Sequence, residues 1–182
     1  MLVIVSTIPT GVIGILFKDT VELAGTMLIV PGICLLITSV FLVIADYADE
    51  GTKRPREASY VNAGLIGVAQ GIATMPGLSR SGTTITACLL CGFEKKFAVK
   101  YSFIMSIPAV LGAVVLELKD VAKAPLQASA VPACAVATVI SAIVGYLSIC
   151  IMMRLIQGKK YKIFAVYCAI VGLITVGYGI FR

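Results

Sequence analysis

Apolar blocks divide this chain, and their lengths predict its elements. Residues 26–45, 97–116, 128–153 and 161–181 each form a run of about the 20 residues that a helix needs to cross a bilayer. Residues 2–17 are equally apolar but shorter, and Pro9, Gly11 and Gly14 interrupt them. Polar stretches separate the blocks. Lys18-Asp19-Thr20-Val21-Glu22 predicts a turn, residues 46–59 an exposed loop with seven charged side chains (Asp46, Asp49, Glu50, Lys53, Arg54, Arg56, Glu57), residues 117–125 another loop, and residues 154–162 a basic loop. Pro108 is placed to kink its helix. The Ala- and Gly-rich block at 128–153 suits close helix packing.

Residues 60–92 break the pattern. The apolar run from Ala63 to Met75 is too short to span, Pro76-Gly77 ends it, and a second short apolar piece runs from Thr83 to Cys91. Two half-helices joined by a polar turn predict a re-entrant hairpin or a broken helix, which is tolerated at membrane depth only when surrounded by protein or lining a wet cavity. The expected fold is an all-α integral membrane protein: one membrane domain over residues 1–182, with about five transmembrane helices and a re-entrant hairpin at 60–92. If that hairpin enters and leaves on one side, this side collects Lys53, Arg54, Arg56, Lys95, Lys96, Lys100, Arg154, Lys159, Lys160 and Lys162. The other keeps only Lys18, Lys119, Lys123 and Arg182, so the first is expected to be cytoplasmic.

Composition agrees. The chain is 59% hydrophobic and 13% charged, against about 45–50% and about 25% in soluble domains. Its net charge of +6 suits membrane orientation and anionic lipid rather than nucleic acid. The six cysteines all lie in apolar stretches, and Cys88-Leu-Leu-Cys91 has no second pair, so buried structural thiols are expected. There is no histidine, which excludes a His base and the usual zinc sites from this chain. Met105, Met152 and Met153 are expected to pack. Tyr47, Tyr60, Tyr161 and Tyr178 are expected at membrane interfaces, and Glu117 and Asp120 to be solvated. Met1 opens directly into an apolar run without a signal-peptide pattern, as in a membrane protein that starts here or in a chain that has lost its beginning.

Arg80 is the one charged side chain set deep among apolar residues. Burying it in a membrane costs about 2.5–3.5 kcal/mol on insertion scales, and no acidic residue lies nearer in sequence than Glu94. An incoming anion would compensate it. Gly77 and Gly82 let the backbone turn and expose N–H groups. Ser79, Ser81, Thr83 and Thr84 add hydroxyls, and a helix beginning near Ser81 would aim its positive end at the turn. Arg grips two phosphate oxygens at once, as Lys does not. The bland alternative is that Arg80 pairs with an acidic residue and pins the fold. Gly77-x4-Gly82-Thr83-Thr84 lacks the lysine and preceding strand of a P-loop, so that reading is rejected.

Pro76 to Thr84 (PGLSRSGTT) resembles the PGxSRSxxT signature of the bacitracin-resistance family of undecaprenyl-diphosphatases. Gln70, Ile8-Pro9, Gly14 to Asp19, Phe103 to Pro108 and Gly112 extend the likeness along essentially the whole chain. The resemblance implies an inverted-repeat fold whose two re-entrant hairpins meet at mid-membrane in a multi-pass protein of the bacterial plasma membrane. It implies hydrolysis of undecaprenyl pyrophosphate to the monophosphate, recycling the carrier lipid for peptidoglycan synthesis. By match, Arg80, Ser79, Ser81 and Thr84 are the catalytic set and Gly77, Gly82, Thr83 and Gln70 contact the substrate. A divalent cation (Mg or Ca) is implied as cofactor. The family's other signature, with two Glu, a Ser-Ser pair and a His, has no counterpart here, so no metal ligands are expected from this chain. The chain is expected to be an incomplete copy or to need a partner, with homodimerisation or a loosened fold as the consequence. A transporter or lipid translocator with a broken-helix anion site is the alternative, and a purely structural membrane fragment a third.

Overall fold

A computed structural model describes residues 1–48, 51–123, 131–157 and 161–181. They form eight α-helices: α1 (Leu2–Leu16), α2 (Lys18–Thr26), α3 (Ile29–Tyr47), α4 (Tyr60–Ile72), α5 (Arg80–Leu90), α6 (Lys95–Lys123), α7 (Val131–Gln157) and α8 (Tyr161–Ile180). One turn of 3-10 helix at Pro55–Glu57 precedes α4. Four helices, α3, α6, α7 and α8, are long and apolar enough to cross a membrane. The bent pair α1–α2 makes a fifth if taken as one span. The chain is an all-α, multi-pass membrane protein.

Several boundaries differ from expectation. The polar stretch 18–22 is helix, not turn. No Gly or Pro interrupts it, and Lys18 and Glu22 pair at 3.7 Å one helical turn apart. The chain changes course instead at Phe17, where α1 and α2 meet at 61°. The stretch 117–123 likewise continues α6, and Arg154–Gln157 continues α7, because no helix breaker precedes Pro125. Asp49, Glu50, residues 124–130, residues 158–160 and Arg182 lie outside the described residues, so the expected loop at 124–125 and the basic side chains Lys159 and Lys160 are not placed. Pro9 and Pro108 sit inside α1 and α6 without ending them.

Glycine sets two close helix contacts. Between α3 and α8, a Cβ on Gly32 would lie 2.7 Å from the Val176 side chain and 3.0 Å from its backbone nitrogen, and one on Gly172 would lie 3.0 Å from the Gly32 carbonyl. Ser39 Oγ donates to the Ala165 carbonyl across the same seam at 2.8 Å. Between α1 and α4, Gly67 lies against Ser6 and Pro9, and Thr10 Oγ1 donates to the Gly67 carbonyl at 2.9 Å. These are the small-residue approaches that hold helices together where lipid competes with apolar side chains. The Ala-rich α7, which has one glycine (Gly145), does not use its small residues this way within the chain: its apolar stretch Val131–Ile151 has no buried residue.

The short helices α4 and α5 fold back on each other and are enclosed by α1, α3 and α6. Their facing side chains join one core with Ile66, Ile85, Cys88, Phe93, Tyr101 and Met105. The hairpin's two outer ends lie together, since Asn62 and Ala63 line the same crevice as Phe93 and Phe97. The segment after α3 is stitched to this end: Lys53 N–H donates to the Gly92 carbonyl at 3.0 Å and Glu94 N–H to the Lys53 carbonyl at 3.2 Å. Arg54 approaches Glu94 at 3.8 Å, and Lys162 approaches Asp46 at 3.8 Å. The described basic residues Lys53, Arg54 and Lys162 therefore gather where α3 ends and the hairpin opens. Tyr47, Tyr60 and Tyr178 are exposed, and Tyr161 is buried in the core cluster that includes Leu42 and Ala45. All six cysteines are free thiols; Cys34 and Cys88 are buried and Cys134 is exposed.

Substituting Gly32 by Val should push α3 from α8 and destabilise the fold by about 1–3 kcal/mol, as overpacking does. Gly177→Val, at a position where a Cβ meets nothing within 4 Å, should not. Thermal unfolding of the two variants in detergent measures the difference.

Candidate anion site at the hairpin turn

The turn between α4 and α5 lies against the stretch Pro31–Thr38 of α3. Gly77 adopts φ +86°, a left-handed conformation that side chains resist, and a Cβ there would collide with the Pro31 carbonyl. Thr38, at the midpoint of α3 and buried, serves the turn twice: its Oγ1 accepts from Ser79 N–H at 3.0 Å and donates to the Gly77 carbonyl at 3.3 Å. Leu78 N–H donates to the Met75 carbonyl at 3.1 Å. The turn's polar backbone is thus met by protein at the level of the middle of a spanning helix, as a non-aqueous surround requires.

Helix α5 starts at Arg80, one residue before the expected Ser81. Ser79 is its N-cap, with Oγ accepting from Gly82 N–H at 3.1 Å. Among the described residues, no protein acceptor takes the N–H groups of Arg80 and Ser81, so the positive end of α5 presents two open donors. Arg80 is half-buried, and no described carboxylate lies within ion-pair distance of it. It lines two cavities. The smaller, about 330 Å³, is also lined by Ser81, Ser102, Phe103 and Ser106. The larger, about 380 Å³, is mainly apolar and lies between α1, α2 and α6.

The remaining motif residues are distributed around this point. Thr84 is fully buried; its hydroxyl faces the Arg80 carbonyl at 2.9 Å and pairs with Ser102 Oγ, clipping α5 to α6. Thr83 is buried with an unpartnered hydroxyl oxygen. Gly82 is buried where a Cβ would meet Ser79 Oγ at 3.0 Å. Gln70 is fully buried on α4, its Nε2 donating to the Met105 carbonyl at 3.4 Å and its Oε1 unpartnered. Neither Thr84 nor Gln70 lines the cavities at Arg80, whereas Ser81 does. The residues that motif reading misses are Thr38, Ser102 and Ser106. Ser102 and Ser106 stand one turn apart on an apolar helix, a spacing that puts two hydroxyls on one face. Thr38 carries no such signal, since only the fold brings it to the turn.

Chemically, the smaller cavity offers one guanidinium, two helix N-terminal N–H groups and the Ser81 hydroxyl; of the other two serines on its wall, Ser106 Oγ donates to the Phe103 carbonyl at 2.7 Å and Ser102 Oγ is paired with Thr84. This set suits a phosphate or pyrophosphate. It does not suit a divalent cation: among the described residues no three His, Cys, Asp or Glu side chains converge. Glu22, on the far wall of the larger cavity, is engaged with Lys18.

Fold and geometry together define a polytopic helical membrane protein with a helical hairpin in its interior, Arg80 standing at the hairpin's turn. Residues 1–174 match the family model described as bacitracin resistance protein BacA, and the chain belongs to that family. It is 42% identical over 177 residues to an undecaprenyl-diphosphatase of Methanosphaera stadtmanae, covering 96% of this chain and 62% of that protein. It is 39% identical to one of Halothermothrix orenii, of which it covers 68%, and 40% identical to one of Methanothermobacter thermautotrophicus, of which it covers 96%. The chain thus spans less than two thirds of the Methanosphaera relative's length.

Thr38→Val should leave the Ser79 N–H and the Gly77 carbonyl unpaired and cost about 1–3 kcal/mol for each buried group, while Thr38→Ser should retain most of the stability. Thermal unfolding in detergent, with and without inorganic pyrophosphate, reads both the fold and the site.

Proposed function

We propose that this chain carries the pyrophosphate-binding half of an undecaprenyl-diphosphatase, acting on a polyprenyl pyrophosphate in the plasma membrane to release phosphate and regenerate the carrier monophosphate that cell-wall synthesis reuses. The observation that carries this reading is Arg80: a guanidinium at membrane depth, facing hydroxyls and open N–H groups, with no described carboxylate to neutralise it. Membership of the bacitracin-resistance family and the activity for which its relatives are named support it.

In this reading the hairpin is re-entrant, opening at both ends on the basic, cytoplasmic side, and the lipid's pyrophosphate meets the N-terminus of α5. Hydrolysis breaks the bond between the bridging oxygen and the terminal phosphorus while a water oxygen bonds to that phosphorus. Negative charge shifts to the bridging oxygen and spreads over the transferring phosphoryl. Such a reaction needs positioning and charge neutralisation more than covalent chemistry. Arg80 supplies the charge. The Arg80 and Ser81 N–H groups and the Ser81 hydroxyl supply hydrogen bonds, while Ser102 and Ser106, held on Thr84 and on the Phe103 carbonyl, form the wall. Thr84, Gly77, Gly82 and Ser79 hold the turn that presents them. The group that takes the water's proton, and the carboxylates that would hold a Mg or Ca ion, are not gathered here by the described residues. We assign them to other protein, whether a partner subunit or a further segment.

The test is binding first and turnover second. Inorganic pyrophosphate should raise the unfolding temperature of the wild-type chain in a concentration-dependent way, and Arg80→Ala should abolish the rise. In a sample that releases phosphate from a C15 or C55 pyrophosphate, Arg80→Ala should lower release roughly a hundredfold or more, and Arg80→Lys should restore only part of it. Pyrophosphate stabilisation that survives Arg80→Ala would overturn the reading.

A further inference from the structure

Part of the wall of the larger cavity at Arg80 is built from glycine and alanine. Gly11 and Gly14 of α1 face Ala109, Gly112 and Ala113 of α6 across it. A hollow of about 440 Å³ continues it along α1, sharing Thr7, Gly11 and Pro108. The three glycines have no packing duty: a Cβ on Gly11, Gly14 or Gly112 would meet nothing within 4 Å. Their neighbours Gly67 and Gly71 on α4 are different, since a Cβ on either would run into α1. Each helix-interior glycine costs about 1 kcal/mol of helix stability relative to alanine, and here no close approach of helices offsets it. On α1, Thr7, Gly11 and Gly14 recur at helical spacing along one face, so a single stripe of that helix is kept low beside the cavity.

We propose that this α1–α6 hollow holds the prenyl chain of the lipid whose pyrophosphate sits at Arg80, and that the missing side chains at Gly11, Gly14 and Gly112 set the girth of chain admitted. The inference rests on the reading of Arg80 as a pyrophosphate site and adds the tail's position to it. The occupant follows from continuity and chemistry. Arg80 lines both cavities, so a headgroup among the serines places its apolar substituent at the mouth of the larger one. That cavity is mainly apolar. A methyl-branched isoprenoid is thicker than a straight acyl chain, which makes wall height matter.

The experiment uses the full chain in detergent with farnesyl pyrophosphate and inorganic pyrophosphate as probes. It compares Gly11→Leu and Gly112→Leu with Gly64→Leu, an open glycine on α4 that does not line the hollow. Because each Cβ enters open space, all three variants should fold. Farnesyl pyrophosphate should bind Gly11→Leu and Gly112→Leu about tenfold more weakly or worse, with inorganic pyrophosphate unchanged to within about twofold and Gly64→Leu unchanged for both. Unchanged farnesyl pyrophosphate affinity in both cavity variants overturns the proposal while leaving the Arg80 site standing. An equal loss for both probes overturns it too, because the hollow then acts on the headgroup or the fold and not on the tail. A change in oligomeric size without a change in tail affinity gives the hollow to a protein partner and overturns it as well. If inorganic pyrophosphate fails to bind the wild-type chain, the site reading falls and takes this proposal with it.

Discussion

A helix-breaking turn can exist at membrane depth only if protein satisfies its backbone, and Thr38 is where that condition is met. Its hydroxyl accepts from Ser79 N–H and donates to the Gly77 carbonyl, the two turn groups that neither α4 nor α5 can pair. Ser79, held in place from one side, then caps α5 from the other through Gly82 N–H. The cap leaves the N–H groups of Arg80 and Ser81 open and sets Arg80 at the first position of the helix. One threonine in the middle of a spanning helix thereby fixes both the charge and the donors of the site.

Glycine is used in three physically distinct ways around this turn. At Gly77 it supplies a left-handed backbone conformation against Pro31. At Gly32, Gly172, Gly67 and Gly71 it lets helices touch, which matters in lipid because apolar side chains gain little by leaving one apolar medium for another. At Gly11, Gly14 and Gly112 it makes no contact and leaves volume next to Arg80. The same residue type therefore marks conformation, adhesion and space. Only the neighbours of the absent Cβ distinguish them.

Helix α7 stands apart from this economy. Its apolar stretch Val131–Ile151 has no buried residue, although its Ala-rich sequence suits close packing. Lipid can cover such a surface without cost, so a spanning helix need not be buried to be stable.

The apolar block lengths alone determined the fold class and the number of spans, because a bilayer imposes a minimum length on any helix that crosses it. The break at Pro76-Gly77 made the hairpin legible too, since two apolar pieces too short to span need a turn that protein can enclose, and the sequence alone marked Arg80 as the charge set at that turn. Helix ends were less legible. Charge at Lys18–Glu22, at 117–123 and at Arg154 suggests a loop, yet nothing in those stretches stops a helix, and a helix that leaves the apolar layer can carry charge. The tertiary structure alone decided that Thr84 faces Ser102 and not the cavity, that Ser102 and Ser106 stand beside Arg80, that Tyr161 is buried, and that Thr38 holds the turn. These pairings join residues far apart in the chain, and their hydrogen bonds depend on where α3, α5 and α6 meet, which no local pattern encodes.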